Sequence, residues 1–189
     1  MRVAIYAQAR SGSTSLYMYI QKSLHYQMSS NYKGILEPYS PKFPNRFTEE
    51  EIWERDNVVV KFLIRDNNIA KRIPSAFDKV IYLTRSNDLE GAESLAYATK
   101  DGEWHKPYEY STLKDSFSDN EIKDLRSKRA HHREYIQSQK GFQITYEEIF
   151  YKRVGILRIN DYIGIRDSKY SNWLDVDKKY RQDYELRTI

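Results

Sequence analysis

The fold is decided by Val3-Ala4-Ile5-Tyr6-Ala7-Gln8-Ala9-Arg10-Ser11-Gly12-Ser13-Thr14-Ser15-Leu16-Tyr17-Met18-Tyr19-Ile20. Its first part is a short, mostly apolar run rich in β-forming residues, which predicts a buried strand. Leu16, Ile20, Leu24 and Met28 then recur every four residues, which predicts one face of a helix. Between them lie small hydroxylated residues and an arginine. The stretch therefore predicts a strand, a tight loop and a helix.

The loop in this stretch has the composition of an anion site. The first turn of the predicted helix leaves backbone amides without partners, and with the helix dipole they favour a phosphate-like group. These amides belong to Gly12, Ser13, Thr14 and Ser15. Arg10 and Ser11 precede them, and Arg10 adds a permanent charge with a planar set of donors. A plain helix cap is the alternative, but it explains neither Arg10 nor the run of hydroxyls.

The same loop differs from that of nucleoside triphosphatases. The pattern Gly-x-x-x-x-Gly-Lys-Ser/Thr requires a glycine five positions before Gly12 and a lysine directly after it. This chain has Ala7 and Ser13 at those positions. A small P-loop-like kinase would need that lysine and a magnesium-binding acid, and the sequence has neither in place. The kinase is kept as the rival enzyme class.

Composition limits the remaining classes. The chain has 189 residues, 31% of them charged, and a formal net charge of +4, which predicts one domain over 1–189 with a sizeable core. With no cysteine and four histidines, no metal site is expected. No run approaches the ~20 apolar residues of a membrane span, and no signal sequence is visible, so we expect a cytoplasmic protein. No nucleic-acid-binding motif is present, so nucleic acid is not an expected partner.

Apolar strands alternate with helices along the rest of the chain. Further strands are predicted at 34–37, 58–64, 79–84 and 143–145, and helices at 48–55, 67–73, 88–98, 118–139, after Thr145 and at 173–184. A hydroxyl residue followed three positions later by glutamate at Thr48, Ser118 and Thr145 predicts three helix starts. The alternation predicts an α/β, P-loop-like three-layer sandwich, with a central parallel sheet and helices on both faces.

A second anion site is predicted after the strand at 79–84. Arg85 follows this strand directly, and Ser94 lies in the next helix. Ligands of open α/β sheets bind outside the carboxyl ends of the strands, where Arg10 and Arg85 would both lie. An arginine with a hydroxyl suits an anion, so the ligand should carry two separated anionic groups. The alternative is a surface ion pair of Arg85 with Asp88 or Glu93.

These motifs carry a resemblance to a known family. Arg10-Ser11-Gly12-Ser13-Thr14 resembles the 5′-phosphosulfate loop of sulfotransferases, which use 3′-phosphoadenosine 5′-phosphosulfate (PAPS). Leu83-Thr84-Arg85 with Ala92-Glu93-Ser94-Leu95 resembles their 3′-phosphate motif. The spacing from Arg85 to Ser94, with 102–105 after it, is similar to the bacterial trehalose sulfotransferase-like branch. Further matches follow in order at 60–62, 144–147 and 169–173.

The resemblance implies a PAPS-dependent sulfotransferase. Such an enzyme moves the sulfuryl group in line to a hydroxyl acceptor, for example of a saccharide, without a metal, and releases adenosine 3′,5′-bisphosphate (PAP). It implies that the loop residues, Arg85 and Ser94 bind the cofactor, together with Tyr146, Lys169 and Ser171. The rival outside catalysis is an inactive nucleotide-binding protein of the same fold. A homodimer is left open.

The resemblance also implies catalytic residues. Arg10 would stabilise the departing phosphate, and Glu37 would be the base, although Pro38 is displaced from the family pattern Gly-x-Pro-x-Glu. An ordinary exposed loop acid is the alternative for Glu37. His105 is the reserve base, against a plain surface histidine. Lys61 should direct its amine at the active-site edge, the alternative being a core lysine with a carboxylate partner.

Two basic residues interrupt an apolar stripe on the long predicted helix at 118–139. The stripe consists of Ile122, Leu125, Arg129, His132 and Ile136. Other basic residues surround it: Lys123, Arg126, Lys128 and Arg133. We favour a solvated basic face here over contact with an anionic ligand.

Overall fold

The computed structural model describes residues 1–28, 32–40, 47–64, 67–101 and 117–166. The strands are β1 (Arg2–Ala7), β2 (Lys33–Leu36), β3 (Val58–Leu63), β4 (Lys79–Thr84) and β5 (Phe142–Thr145). The helices are α1 (Ser13–Met28), α2 (Glu49–Trp53), α3 (Asn67–Ala76), α4 (Asp88–Asp101), α5 (Asp119–Gln137), α6 (Tyr146–Phe150) and α7 (Val154–Ile163).

The five strands form one parallel sheet in the order β2-β3-β1-β4-β5. The middle strand β1 is the strand predicted to begin at Val3, and its last residue, Ala7, lies beside Leu63 and Leu83. The carboxyl ends of the three central strands therefore meet at one edge of the sheet. The four-residue strands β2 and β5 form the outer edges, where short strands limit unwanted pairing.

Helices cover both faces of the sheet because side chains of a strand point alternately to opposite faces. Val3 and Ile5 face a core completed by α1, α6 and α7. Ala4 and Tyr6 face a second core that includes residues of α2, α3 and α5. Helix α4 packs mainly on α5. The architecture is an α/β three-layer sandwich, so the predicted fold class is confirmed.

The three predicted helix starts are confirmed. Thr48, Ser118 and Thr145 each accept a bond from the backbone of a glutamate three residues on, whose carboxylate bonds the cap in return. The ends differ by a few residues: α3 runs past Pro74 to Ala76, and α4 extends to Asp101.

Helix α7 was not predicted. It starts after Arg153, which adopts a left-handed conformation and gives no side-chain cap, so the usual sequence sign of a helix start is missing. The predicted helix at 173–184 lies outside the described residues. Among the helices of the described part, none has the length and apolar character needed to cross a membrane.

Candidate functional site

The loop between β1 and α1 lies at the carboxyl edge of the sheet, as expected from the sequence. Two of its residues have positive φ, Gly12 at 71° and Arg10 at 60°. Glycine adopts this conformation freely, whereas arginine does so at a cost that surrounding contacts must offset. The loop therefore has a backbone shape that local preference alone would not produce.

Three successive loop carbonyls are held by side chains. Ser11 Oγ donates to the carbonyl of Gln8 at 2.7 Å, an Arg129 Nη1 donates to that of Ala9 at 2.6 Å, and an Arg85 Nη1 to that of Arg10 at 3.2 Å. In a trans peptide the following N–H points opposite to the carbonyl, and none of the described bonds is cis. The amides of residues 9–11 therefore point away from these donors, in the manner of an anion-binding nest.

The two predicted anion motifs meet in the structure. The Nε of Arg10 donates to Ser94 Oγ at 2.8 Å, although the residues belong to the β1 loop and to α4. Ser94 is buried, as the predicted turn of the helix toward the crevice requires. Arg85 is buried as well, and it forms an ion pair with Glu90. The suggested surface pairing of Arg85 with Asp88 is therefore wrong, because the chain buries the guanidinium, brings Glu90 to it and pairs Asp88 with Arg133.

Aromatic rings support the loop and Arg85. The Arg85 Cζ lies 4.4 Å from the centre of the Tyr146 ring, a cation–π arrangement. Tyr146 in turn packs on Phe150, with ring centres 4.5 Å apart. A Cβ placed on Gly12 would overlap the ring of Phe150, so only glycine fits where the loop crosses these rings. The ring of Tyr146 therefore packs against Arg85 and lies close to Gly12, so it supports both anion motifs.

Lys61, Glu37 and Thr14 form a second cluster at the start of α1. The Nζ of Lys61 donates to Glu37 Oε1 at 2.6 Å and to Thr14 Oγ1 at 2.7 Å. The Lys61 side chain is 3% exposed and that of Glu37 is 26% exposed. Lys61 meets both expectations at once, because its amine reaches the loop and has a carboxylate partner. Glu37 also has a positive φ of 48°, so it is a strained turn residue rather than an ordinary exposed acid.

Arg129 departs from the sequence prediction. Its side chain is buried, with 3% of the residue exposed, whereas Lys123, Arg126 and Lys128 on the same helix are exposed. The favoured solvated basic face is therefore wrong for Arg129 and right for these three, while Arg133 is part-buried and pairs with Asp88. Gly91 of α4 makes the burial possible, because a Cβ there would lie 2.5 Å from the Arg129 guanidinium. Burial, and then the charge of Arg85, lower the pKa of Arg129 to about 10.

Three further residues position the site and were not singled out from the sequence. The side chain of buried Gln8 accepts from the Arg85 amide at 3.0 Å and donates to the Arg129 carbonyl at 2.7 Å. Glu90 holds Arg85, and Glu147 accepts from the amides that precede α4 at 3.0–3.1 Å. The backbone amides just before α4 are therefore bonded to the carboxylate of Glu147. For Gln8, its place between a buried strand and the loop was the only available signal.

Some predicted site residues cannot be placed. His105, Lys169 and Ser171 lie outside the described residues. Ser13 is buried at the start of α1, and Ser15 is half-buried one residue after Thr14. Across the residues that the structure describes, no three histidine, aspartate or glutamate side chains are grouped so that they would hold a metal ion.

Fold and site together define an α/β protein with three neighbouring arginine residues, Arg10, Arg85 and Arg129, at the carboxyl edge of a parallel sheet. No protein-family model matches the chain, and no curated protein matches it either.

Proposed function

We propose that the chain is a PAPS-dependent sulfotransferase that acts on a hydroxyl acceptor. The observation that supports this most directly is the 2.8 Å bond between Arg10 and Ser94. It joins the loop that resembles a 5′-phosphosulfate site to the helix that resembles a 3′-phosphate site. A ligand with two anionic groups on one ribose could therefore contact both motifs at once.

The donor set fits such a ligand. Arg10, Arg85 and Arg129 lie close enough to influence one another electrostatically, and the nest of loop amides lies beside them. PAPS, when bound, supplies an activated sulfuryl group and a phosphate as its leaving group. A sulfuryl group carries less negative charge than a phosphoryl group, so fixed protein donors can take the place of a metal.

Each residue then has a defined task. Arg10 and the loop amides hold the 5′ side and stabilise charge on the leaving phosphate oxygen. Arg85 and Ser94 hold the 3′-phosphate and give affinity. Glu37 accepts the proton of the acceptor hydroxyl, and its 2.6 Å bond with Lys61 keeps the carboxylate in place until the cofactor binds.

The same bond is the observation that favours a second candidate, a nucleotide-binding protein without transfer activity. A carboxylate oxygen that is bonded to a lysine is not free to accept the proton of an acceptor hydroxyl, and a general base must come within hydrogen-bond reach of that proton. In the transferase, Lys61 must move toward the reacting oxygens when the cofactor binds, which would release Glu37. In the binding-only protein, the ion pair persists with nucleotide present.

Thermal shift with two nucleotides tests the proposed cofactor. PAP should raise the melting temperature, since a ligand that binds only the native state adds roughly 2.7 kcal/mol at a hundredfold excess over its Kd. ATP with magnesium should do much less, because Ser13 stands where a triphosphatase loop has its lysine. An equal or larger shift with ATP would overturn the sulfotransferase proposal. Transfer of radiolabelled sulfate from PAPS to a panel of sugars then separates the enzyme from the binding-only protein.

A further inference from the structure

Arg129 is a buried cation whose neighbours leave it without a carboxylate partner. The acids whose charges act on it have other partners, since Asp88 pairs with Arg133 and Glu147 accepts from the amides of Ser86 and Asn87. Among the described residues, no ion pair is formed by Arg129. Its Nη1 donates to the Ala9 carbonyl, while its Nε and Nη2 are closed off from solvent and have no hydrogen-bond partner in the described part of the chain.

Such an arrangement needs a reason, because an unpaired buried charge destabilises a fold. Replacement by an apolar side chain of similar length would remove that cost, yet the chain keeps the arginine. It even keeps a glycine at 91, which lets the guanidinium lie against the backbone of α4. The pKa of about 10 leaves the group charged at neutral pH. The charge is therefore permanent, desolvated and directed at the loop that contains Arg10.

We propose that Arg129 is a positioning residue of the anion site, which orients the loop through the Ala9 carbonyl and attracts the bound anion without touching it. The bond to Ala9 turns the next amide, that of Arg10, toward the opposite side. The charge acts over a short distance in a water-poor region, where Coulomb interactions are stronger than in solvent. Since folding has already desolvated the group, no reorganisation is needed when the anion binds.

This inference deepens the proposed function, and it rests on that function only for the identity of the anion. Any multiply charged anion in the loop would experience the same field. The ligands of the test are therefore PAP and inorganic pyrophosphate, which carries comparable charge without a nucleoside.

The main variant is Arg129→Met, with Arg126→Met as its matched control. Arg126 lies on the same helix and is exposed. Each substitution removes one positive charge, but only Arg129→Met removes a buried one. We expect the Kd for PAP to rise on the order of ten- to a hundredfold in Arg129→Met, and by less than about twofold in Arg126→Met. Calorimetric titration at two salt concentrations measures both values.

Two further readouts separate this role from a purely structural one. The melting temperature of ligand-free Arg129→Met should equal or exceed that of the wild type, because an unpaired buried charge is gone. In addition, ³¹P NMR should show that the pKa of the bound phosphate groups, about 6 in phosphomonoesters, rises by about one unit in the variant. Arg129→Lys should restore most of the affinity, since it keeps a charge.

The outcomes are decisive in each direction. The inference is overturned if Arg129→Met binds PAP with unchanged affinity and the phosphate pKa stays the same. It is also overturned if binding weakens only because less of the variant is folded. If the wild type binds pyrophosphate but not PAP, the proposed cofactor is wrong, while the pyrophosphate affinities of the variants still decide the role of Arg129. If the wild type binds PAP and both variants bind it equally, the proposed function stands and the role of Arg129 falls. If the wild type binds neither ligand, both fall.

Discussion

The Lys61–Glu37 pair gives the sharpest test of how the site is built. Lys61→Met keeps the length of the side chain and removes its charge-assisted bonds to Glu37 and to Thr14. Removal of one partner of a buried ion pair costs about 3–5 kcal/mol. Because the Glu37 side chain keeps 26% exposure, water can solvate the carboxylate that is left behind. We therefore expect a loss of about 2–3 kcal/mol, or about 4–12 °C in Tm for a chain of this length.

Urea denaturation of the single and double variants measures the interaction. Lys61→Met/Glu37→Gln should recover part of the loss, with a coupling energy of about 1–3 kcal/mol. Lys33→Met is the matched control, because Lys33 pairs with Glu51, whose side chain is 27% exposed, much like that of Glu37, but the Lys33 side chain is 33% exposed and that of Lys61 only 3%. That substitution should cost no more than about 1 kcal/mol. Equal losses in the two lysine variants, with no coupling to Glu37, would refute the reasoning.

Two further predictions concern catalysis and the loop. Glu37→Gln should lower turnover by a factor of about 10²–10⁴ and leave the affinity for PAP almost unchanged. His105→Ala should keep the normal rate of sulfuryl transfer. If single-turnover assays show the reverse pattern, His105 is the base. Gly12→Ala should lower the free energy of unfolding, measured in urea, by about 1–3 kcal/mol and remove the thermal shift caused by PAP. Alanine is strained at the positive φ of this position, and its Cβ would overlap the ring of Phe150. Gly164→Ala is its control, since Gly164 has a φ of 85° but open space around its Cβ, and a loss of the same size there would assign the effect to φ alone.

The elements that were predictable are those with local signals. The apolar run of β1 and the four-residue repeat of α1 each lie within a short stretch of neighbouring positions, so periodicity alone locates them. The capping glutamates give the starts of α2, α5 and α6 in the same way. Helix α7 carries no such signal, because the residue before it, Arg153, is left-handed and does not cap.

The site was predictable to the extent that it follows from strand ends. Arg10 and Arg85 each come directly after a buried strand, so a parallel sheet brings them to one edge. The burial of Arg129 does not follow from α5 itself, since it depends on a glycine of another helix nearly forty positions earlier. The partner of Arg85 is Glu90 rather than Asp88 because helix geometry and packing, rather than distance in sequence, decide which acid reaches it. Contacts of this kind require the tertiary structure.

The strand order also bears on how the chain reaches its native state. In the described sheet, the neighbours β2 and β3 and the neighbours β4 and β5 are consecutive in sequence, but all pairs are parallel, so no hairpin can start the sheet. The central strand β1 precedes its partners β3 and β4 by more than fifty residues. On the ribosome, the apolar segment Val3–Ala7 must therefore stay unpaired until residues near 63 have emerged from the exit tunnel, and one of its two edges stays open until residues near 84 follow. During that interval it is a ready template for intermolecular pairing, so a chaperone that covers this segment should improve the yield of native protein more than slower expression of the carboxyl-terminal half.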